Sequence, residues 1–304
     1  MAQENAVVVW LKRDLRIYDH APLEAASRTG LGVVPLYVWE PSIVGAPDFD
    51  AIHFRFIKEA LDELRDRLSA RGARLIVRTG EIPDVFDELR TRIHIRAIYA
   101  HQETGNARTF ARDRRVARWC ETRGIAWREF RQHGVVRGLR DRDGWSAQWE
   151  KYMRRPVVAP PDRLARAPAL DPGRSPDPAA LKIRSSSGRA IRYRGGESHA
   201  WATLNSFLEH RGRRYHREMS SPNTAYDSCS RLSPYLAWGC ISIRSVVRET
   251  RELQRRKKEG AHPLAMETGA MRAFLGRLHW HCHFIQKLET EPAIEFQNFN
   301  RAYD

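Results

Sequence analysis

Ala6-Val7-Val8-Val9-Trp10-Leu11, an apolar run halted by Lys12-Arg13-Asp14-Leu15-Arg16, decides how the first half of the chain is read. A short apolar run rich in valine and closed by charges reads as a strand. Comparable runs recur at Gly32 to Trp39, Ala73 to Val77, Arg96 to Ala100 and Ile125 to Phe130, each followed by turn residues and a helical pattern. Strands alternating with amphipathic helices are the mark of βαβ units around a parallel sheet. The clearest helix is expected from about His53 to Ala70, with Ile57, Leu61, Leu64 and Leu68 on one stripe and Gly72 beyond its end. The expected fold is therefore α/β, a doubly wound five-stranded parallel sheet whose ligands sit beyond the carboxyl ends of the strands. No GxGxxG follows the first strand, which argues against a dinucleotide of the NAD type.

Working outward, seven of the sixteen prolines fall between Pro156 and Pro178, where neither helix nor sheet is expected to propagate. From Gly195 onward strand-like runs stop. Glu197 to Arg211 carries Trp201, Leu204, Phe207 and Leu208 on one stripe, and Ser242 to Leu253 carries Val246, Val247 and Leu253. The predicted organisation is an α/β domain over 1–134, a basic, Pro-rich linker over 135–192, and a helical domain over 193–304.

With 304 residues, 42% of them hydrophobic, the chain can bury a sizeable core. Its 52 Lys and Arg against 37 Asp and Glu leave a formal charge of +15, which suits a polyanion such as DNA. Basic residues crowd Arg108 to Arg155, interleaved with Trp119, Trp127, Trp145 and Trp149, and again Arg251 to Lys258. Cys120, Cys229, Cys240 and Cys282 are widely spaced without a CxxC and read as reduced thiols, mostly buried, not as a disulfide framework or zinc ribbon. No run has the length to span a bilayer and no signal-peptide pattern precedes the first strand, so a cytoplasmic location and no membrane partner are expected.

Two stretches carry chemistry. In Cys229-Ser230-Arg231-Leu232-Ser233-Pro234, Ser233 is a plausible N-cap with Pro234 at the first helical position. A helix N-terminus beside two serines and an arginine suits phosphate, although a well-capped helix explains the same residues. The helix expected from Met271 to Leu288 shows two stripes. Met271, Phe274, Leu275, Leu278, Cys282 and Ile285 form one, while Arg277, Trp280, His281 and Phe284 form another that could line a cavity and stack on a base or be buried on both sides. His279 and His283 stand four apart around Cys282, but with no fourth ligand in view they read as packing residues, and no metal site is assigned.

These residues resemble the photolyase/cryptochrome family. Trp10-Leu11-Lys12-Arg13-Asp14-Leu15-Arg16 with Asp19 and Leu23 is similar to the family's opening, and Gly195-Gly196-Glu197 with Ala200, Leu204, Phe207-Leu208, Arg211 and Tyr215 to the entry of its helical domain. Ser230-Arg231-Leu232-Ser233-Pro234-Tyr235-Leu236-Ala237-Trp238-Gly239 resembles its flavin-contacting stretch. The resemblance implies a Rossmann-like N-terminal domain, FAD in the helical domain, an antenna chromophore of folate or deazaflavin type, and electron transfer to a UV-induced pyrimidine dimer flipped out of DNA, single-stranded DNA included. It assigns flavin contacts to Tyr215, Cys229, Ser230, Arg231, Leu232, Ser233, Phe274 and His281, and lesion stacking to Trp280. Four positions depart from the family pattern. Cys229 replaces a threonine, Phe274 a tryptophan, His281 an arginine, and Arg277 a glutamate that hydrogen-bonds the dimer in many repair enzymes; a guanidinium only donates, so that contact is lost. The expectation is a divergent subgroup, cut short before the family's later helices. The function expected is light-driven dimer repair, with a blue-light photoreceptor or a flavin-free nucleic-acid-binding remnant as alternatives. No antenna contact can be named from the sequence.

Overall fold

A computed structural model describes residues 3–167, 169–184, 193–260 and 266–303. The first half runs β1 (Asn5–Leu11), α1 (Ala21–Ser27), β2 (Gly32–Trp39), α2 (Pro41–Val44), α3 (Ala51–Ser69), β3 (Ile76–Thr79), α4 (Ile82–Arg90), β4 (His94–His101), α5 (Ala107–Glu121) and β5 (Ala126–Phe130). The five strands form one parallel sheet in the order β3-β2-β1-β4-β5, so the doubly wound topology expected from the alternation is what folds. Period-2 geometry sends Val7, Val9 and Leu11 of β1 into one core and Ala6, Val8 and Trp10 into the other. That is why β1 carries no polar residue between Ala6 and Leu11.

α3 begins two residues before the expected His53, because Asp50 accepts from the Ile52 N–H while the His53 side chain returns to the Asp50 N–H. β3 is displaced from the expected Ala73 to Val77. Ala73 and Leu75 are buried, but pairing with β2 starts only at Ile76 and runs to Thr79. Burial, which the apolar run reported, and ladder pairing are separate properties.

The remaining helices are α6 (Trp145–Met153), α7 (Glu197–Ser206, continued by a π-helical turn Phe207–Arg211), α8 (Tyr215–Glu218), α9 (Ala225–Ser228), α10 (Ser233–Ala237), α11 (Ile243–Lys258) and α12 (Thr268–Thr290). Beyond β5 the only β pairing among the described residues is one bridge, Val33 with Arg166. Helix content therefore follows the expected change of pattern. α6 was not foreseen: it buries Trp145, Trp149, Tyr152 and Met153 in the core shared by the sheet and the later helices. Trp119 is buried as well, and Arg112 lies in an internal ion network, whereas most of the other basic residues from Arg108 to Arg155 are exposed, so the tryptophans of this stretch turn inward and its charges outward.

The Pro-rich segment lies along the sheet as a strap. Leu164 N–H donates to the Arg71 carbonyl, Val33 N–H to Ala165, and Val77 N–H to Pro172. Residues 165–166 thus occupy the place beside the first half of β2 that β3 leaves open. All four cysteines are free, three of them buried. Among the described residues no helix is long and apolar enough to cross a membrane.

Candidate functional site

Three stretches far apart in sequence meet at one joint between the sheet and the helices. The Glu197 carboxylate accepts from the backbone N–H of Ile17 and Tyr18 at 2.8 and 3.2 Å and pairs with Arg67. Arg16 donates to the carbonyls of Tyr18, Asp19 and Gly239, and the Leu15 N–H reaches the Trp238 carbonyl. Asp19 joins Arg244, the Ser242 hydroxyl and the Val158 N–H. Gly195 passes so close to the Phe56 carbonyl, and Gly239 to that of Arg13, that neither has room for a Cβ.

Immediately behind this joint, Asp14 accepts from the Lys12 N–H and from His101 Nδ1 at 2.7 Å. His20 Nε2 lies 3.1 Å from the same carboxylate, out of line for a full hydrogen bond. Burial alone would raise the Asp14 pKa, but the two imidazoles outweigh it and hold the carboxyl well below its usual range. His20 Nδ1 accepts from the Leu23 N–H at the start of α1, which puts the ring hydrogen on Nε2. That N–H faces Asp14 without closing a hydrogen bond, so the bonds to the carboxylate come from His101 and the Lys12 backbone.

In front of the joint, beyond the carboxyl ends of β1, β2 and β4, opens a cavity of about 230 Å³. Its walls include Trp10, Tyr37, Phe49 and Trp238, and its charged lining includes Lys12, Glu40, Glu103 and Arg112. Arg112 donates to Asp113, Glu40 and Glu103, and Lys12 to Asp113. Burial opposes ionisation of Glu103, yet Lys12 and Arg112 bring it down to about 2. Glu40 goes the other way. Burial pushes it up to about 7 against the pull of Arg112. A carboxyl that binds its proton more tightly folded than unfolded removes stability as pH rises from about 4.5 to about 7, by about 3 kcal/mol here. Glu40→Gln does not titrate, so the melting temperature of the variant minus that of the wild type is expected to climb across this window. A difference that stays flat between pH 4.5 and pH 8 would contradict it. Sequence reading placed a ligand beyond the strand ends but assigned none of these residues to it, because they come from separate segments that only the fold assembles.

The residues assigned to a flavin divide into groups. Tyr215 and Phe274 are buried with Phe207, their rings 5.9 Å apart. Burial raises the Tyr215 pKa, and the nearby Arg277 guanidinium draws it down. Arg211 donates to the carbonyls of Cys229, Ser230 and Thr203. Arg231, in the left-handed region at φ 59°, folds onto the Tyr226 ring and bonds its carbonyl and Asp227. Burial raises the Cys229 thiol pKa, and the guanidinium groups of Arg211, Arg231 and Arg277 draw it down, so three cations surround this loop. Leu232 is buried, Ser230 half-buried and Ser233 exposed.

Ser233 does not cap its helix. It is the first residue of α10, Leu232 holds the cap position, and no side chain bonds the free N–H groups there. The turn at Arg231 instead brings the Ser230 hydroxyl to the Leu232 N–H at 3.4 Å. On α12, Arg277, Trp280 and Phe284 form an exposed row, with the guanidinium 5.0 Å from the Trp280 centroid and Phe284 edge-on to it at 6.1 Å. His281 leaves that row and packs against His133, and burial lowers its pKa. His279 and His283 both lie against Trp145, as packing residues would.

The profile of the DNA photolyase family matches residues 7–141. Cryptochrome DASH of Gloeobacter violaceus is 28% identical over 86% of this chain and 57% of its own length. The chain is similar to the photolyase/cryptochrome family. The blue-light photoreceptor PHR2 of Arabidopsis thaliana is 28% identical over 83% of this chain and 62% of its own length. A bacterial class III photolyase from Agrobacterium tumefaciens superposes over all of this chain and 63% of its own, with a TM-score of 0.80 at 20% identity. The chain thus spans about three fifths of the length of these photolyase/cryptochrome relatives. Two places on it fit photolyase/cryptochrome chromophores. The loop from Cys229 to Ser233 has three cations around it, one neighbouring carboxylate, a half-buried Ser230 and an exposed Ser233, which suits a pyrophosphate. The aromatic cavity beyond the sheet suits a flat ring.

Proposed function

We propose that this chain provides the sheet and the leading helices of a light-driven photolyase that repairs UV-induced pyrimidine dimers in DNA. The observation that carries the reading is the adjacency, around Tyr215 and Arg277, of the cation-ringed loop at Cys229 and the exposed row of Arg277, Trp280 and Phe284. FAD, when bound, supplies the light absorption and the electron. The residues of the chain do the rest. Arg211 and Arg231 offset phosphate charge, and Ser230 and Ser233 donate hydroxyls to it. Tyr215 and Phe274 form an apolar floor that excludes water. Trp280, 52% exposed, offers a ring face to a flipped base, and Arg277 beside it donates to a carbonyl or a phosphate. The excess of cations supports DNA as the substrate. The cavity lined by Trp10, Tyr37, Phe49 and Trp238 takes an antenna chromophore of folate or deazaflavin type.

A blue-light photoreceptor is the second reading, favoured by Arg277 itself. A guanidinium only donates, so at this place it gives a dimer no acceptor for its ring N–H groups. One experiment separates the two. The purified chain is mixed with FAD, desalted, photoreduced and illuminated with UV-irradiated oligothymidine. Retained flavin bands and falling dimer content are expected, with both binding and dimer loss reduced about tenfold or more in Trp280→Ala, the usual cost of deleting a base-stacking ring. Retained flavin with no dimer loss would hand the function to the photoreceptor reading. A chain that keeps no flavin would refute both.

A further inference from the structure

Three carboxylates line the cavity beyond the sheet, and they are not in the same state. Asp48 is exposed and takes a bond from Asn106. Glu103 is saturated: Oε1 accepts from the Thr104 and Gly105 N–H groups and Oε2 from Arg112. Glu40, only 3% exposed, spends Oε1 on Arg112 at 3.0 Å, and its Oε2 is buried without any hydrogen-bond partner. An unmatched buried carboxylate oxygen costs the folded protein its solvation, and it is tolerated where something else supplies the donor. The surroundings say what kind of donor. The walls are aromatic, with Phe49 and Trp238 edge to face at 6.1 Å. The volume of about 230 Å³ lies below the 300–1,000 Å³ or so of whole-ligand pockets, which fits one fused-ring system with its tail outside. Lys12 and Arg112 already sit over the Trp10 ring, each 4.8 Å from the centroid, so a further cation in the occupant would be repelled.

We propose that Glu40 sets the ligand specificity of this cavity, its free Oε2 accepting the ring N–H of a neutral, planar, imide- or amide-bearing heterocycle such as the edge of a pterin or an isoalloxazine. The inference rests on reading the cavity as a chromophore site and goes further by naming the atom that selects the chromophore. With a pKa pushed up to about 7, Glu40 lies near its titration point, and a donor tips it to the carboxylate.

The test uses two pairs of probes that differ only at that N–H: lumiflavin against 3-methyllumiflavin, and pterin against 3-methylpterin. Each is titrated into the full chain and into Glu40→Gln, following tryptophan and ligand fluorescence. In the variant the Gln oxygen stays on Arg112 and its NH₂ faces the ligand, so an acceptor becomes a donor. One pair is expected to bind the wild type with a preference of about 10- to 150-fold for the N–H form, the span of a hydrogen bond to a charged group. Glu40→Gln is expected to abolish that preference, and a far-ultraviolet circular dichroism spectrum and cooperative melt like those of the wild type show that the variant folds. The pair that binds tells a flavin source from a folate source. If a pair binds but methylation or Glu40→Gln makes no difference, the chromophore site stands and the role of Glu40 falls. If neither pair binds, both fall.

Discussion

Gly239→Ala is expected to lose on the order of 4 kcal/mol of stability, near the top of what single substitutions do. Gly239 sits at φ 65°, where any other residue is strained, and an added Cβ would overlap the carbonyl of Arg13 and the Cα of Asp14. The strain alone is worth about 1–2 kcal/mol. The overlap adds the larger share, because the neighbours are backbone and cannot swing away. Moving them would also disturb the Arg16 bond to the Gly239 carbonyl and the Leu15 bond to the Trp238 carbonyl, which hold helices to sheet. Gly124→Ala is the control: φ is 62° and an added Cβ meets nothing within 4 Å. Chemical denaturation of both variants should show Gly239→Ala losing at least twice as much. Equal losses would mean that the close approach at the joint is unimportant.

Arg244→Met is expected to cost about 3–5 kcal/mol by leaving the Asp19 carboxylate buried without its cation. Asp19 is 3% exposed, and although burial opposes its ionisation, Arg244 holds its pKa below the ordinary value. Asp19→Asn in the Arg244→Met background removes the stranded charge, so the double variant should recover part of the loss, and the two changes should be non-additive by about 1–3 kcal/mol. Strictly additive denaturation midpoints would rule out a direct dependence of one group on the other.

Much of this fold can be read from the order of residues. Val7 to Val9 and Val33 to Leu36 are buried on both faces, and such strands announce themselves without needing a partner's identity. The boundary of β3 cannot be read so, because Leu75 is as buried as Ile76 but unpaired. α6 was hidden among arginines, since Trp145, Trp149 and Tyr152 point inward while Lys151 and Arg154 do not. The motif residues serve the joint first: Arg16, Glu197 and Gly239 hold the two halves together, and Asp14 ties Lys12 to His101 behind them. The site was legible only in part. Tyr215, Phe274 and Arg277 do gather near Cys229, whereas His281 shares a helix with them and faces elsewhere. Glu40 was in plain view after β2, but its free oxygen is a three-dimensional fact that no spacing encodes.

The strap also bears on the order in which the molecule can be completed. β3 is an edge of the sheet, and its Val77 N–H is met by the Pro172 carbonyl, while residues 165–166 shield the open half of β2. Until roughly 170 residues have left the ribosome, that margin is a ladder of unsatisfied amides available to any neighbouring chain. A nascent chain or a fragment ending near residue 134 therefore carries all five strands and still lacks its border. Proline suits the closing segment because it has no N–H with which to hand the pairing on to another molecule.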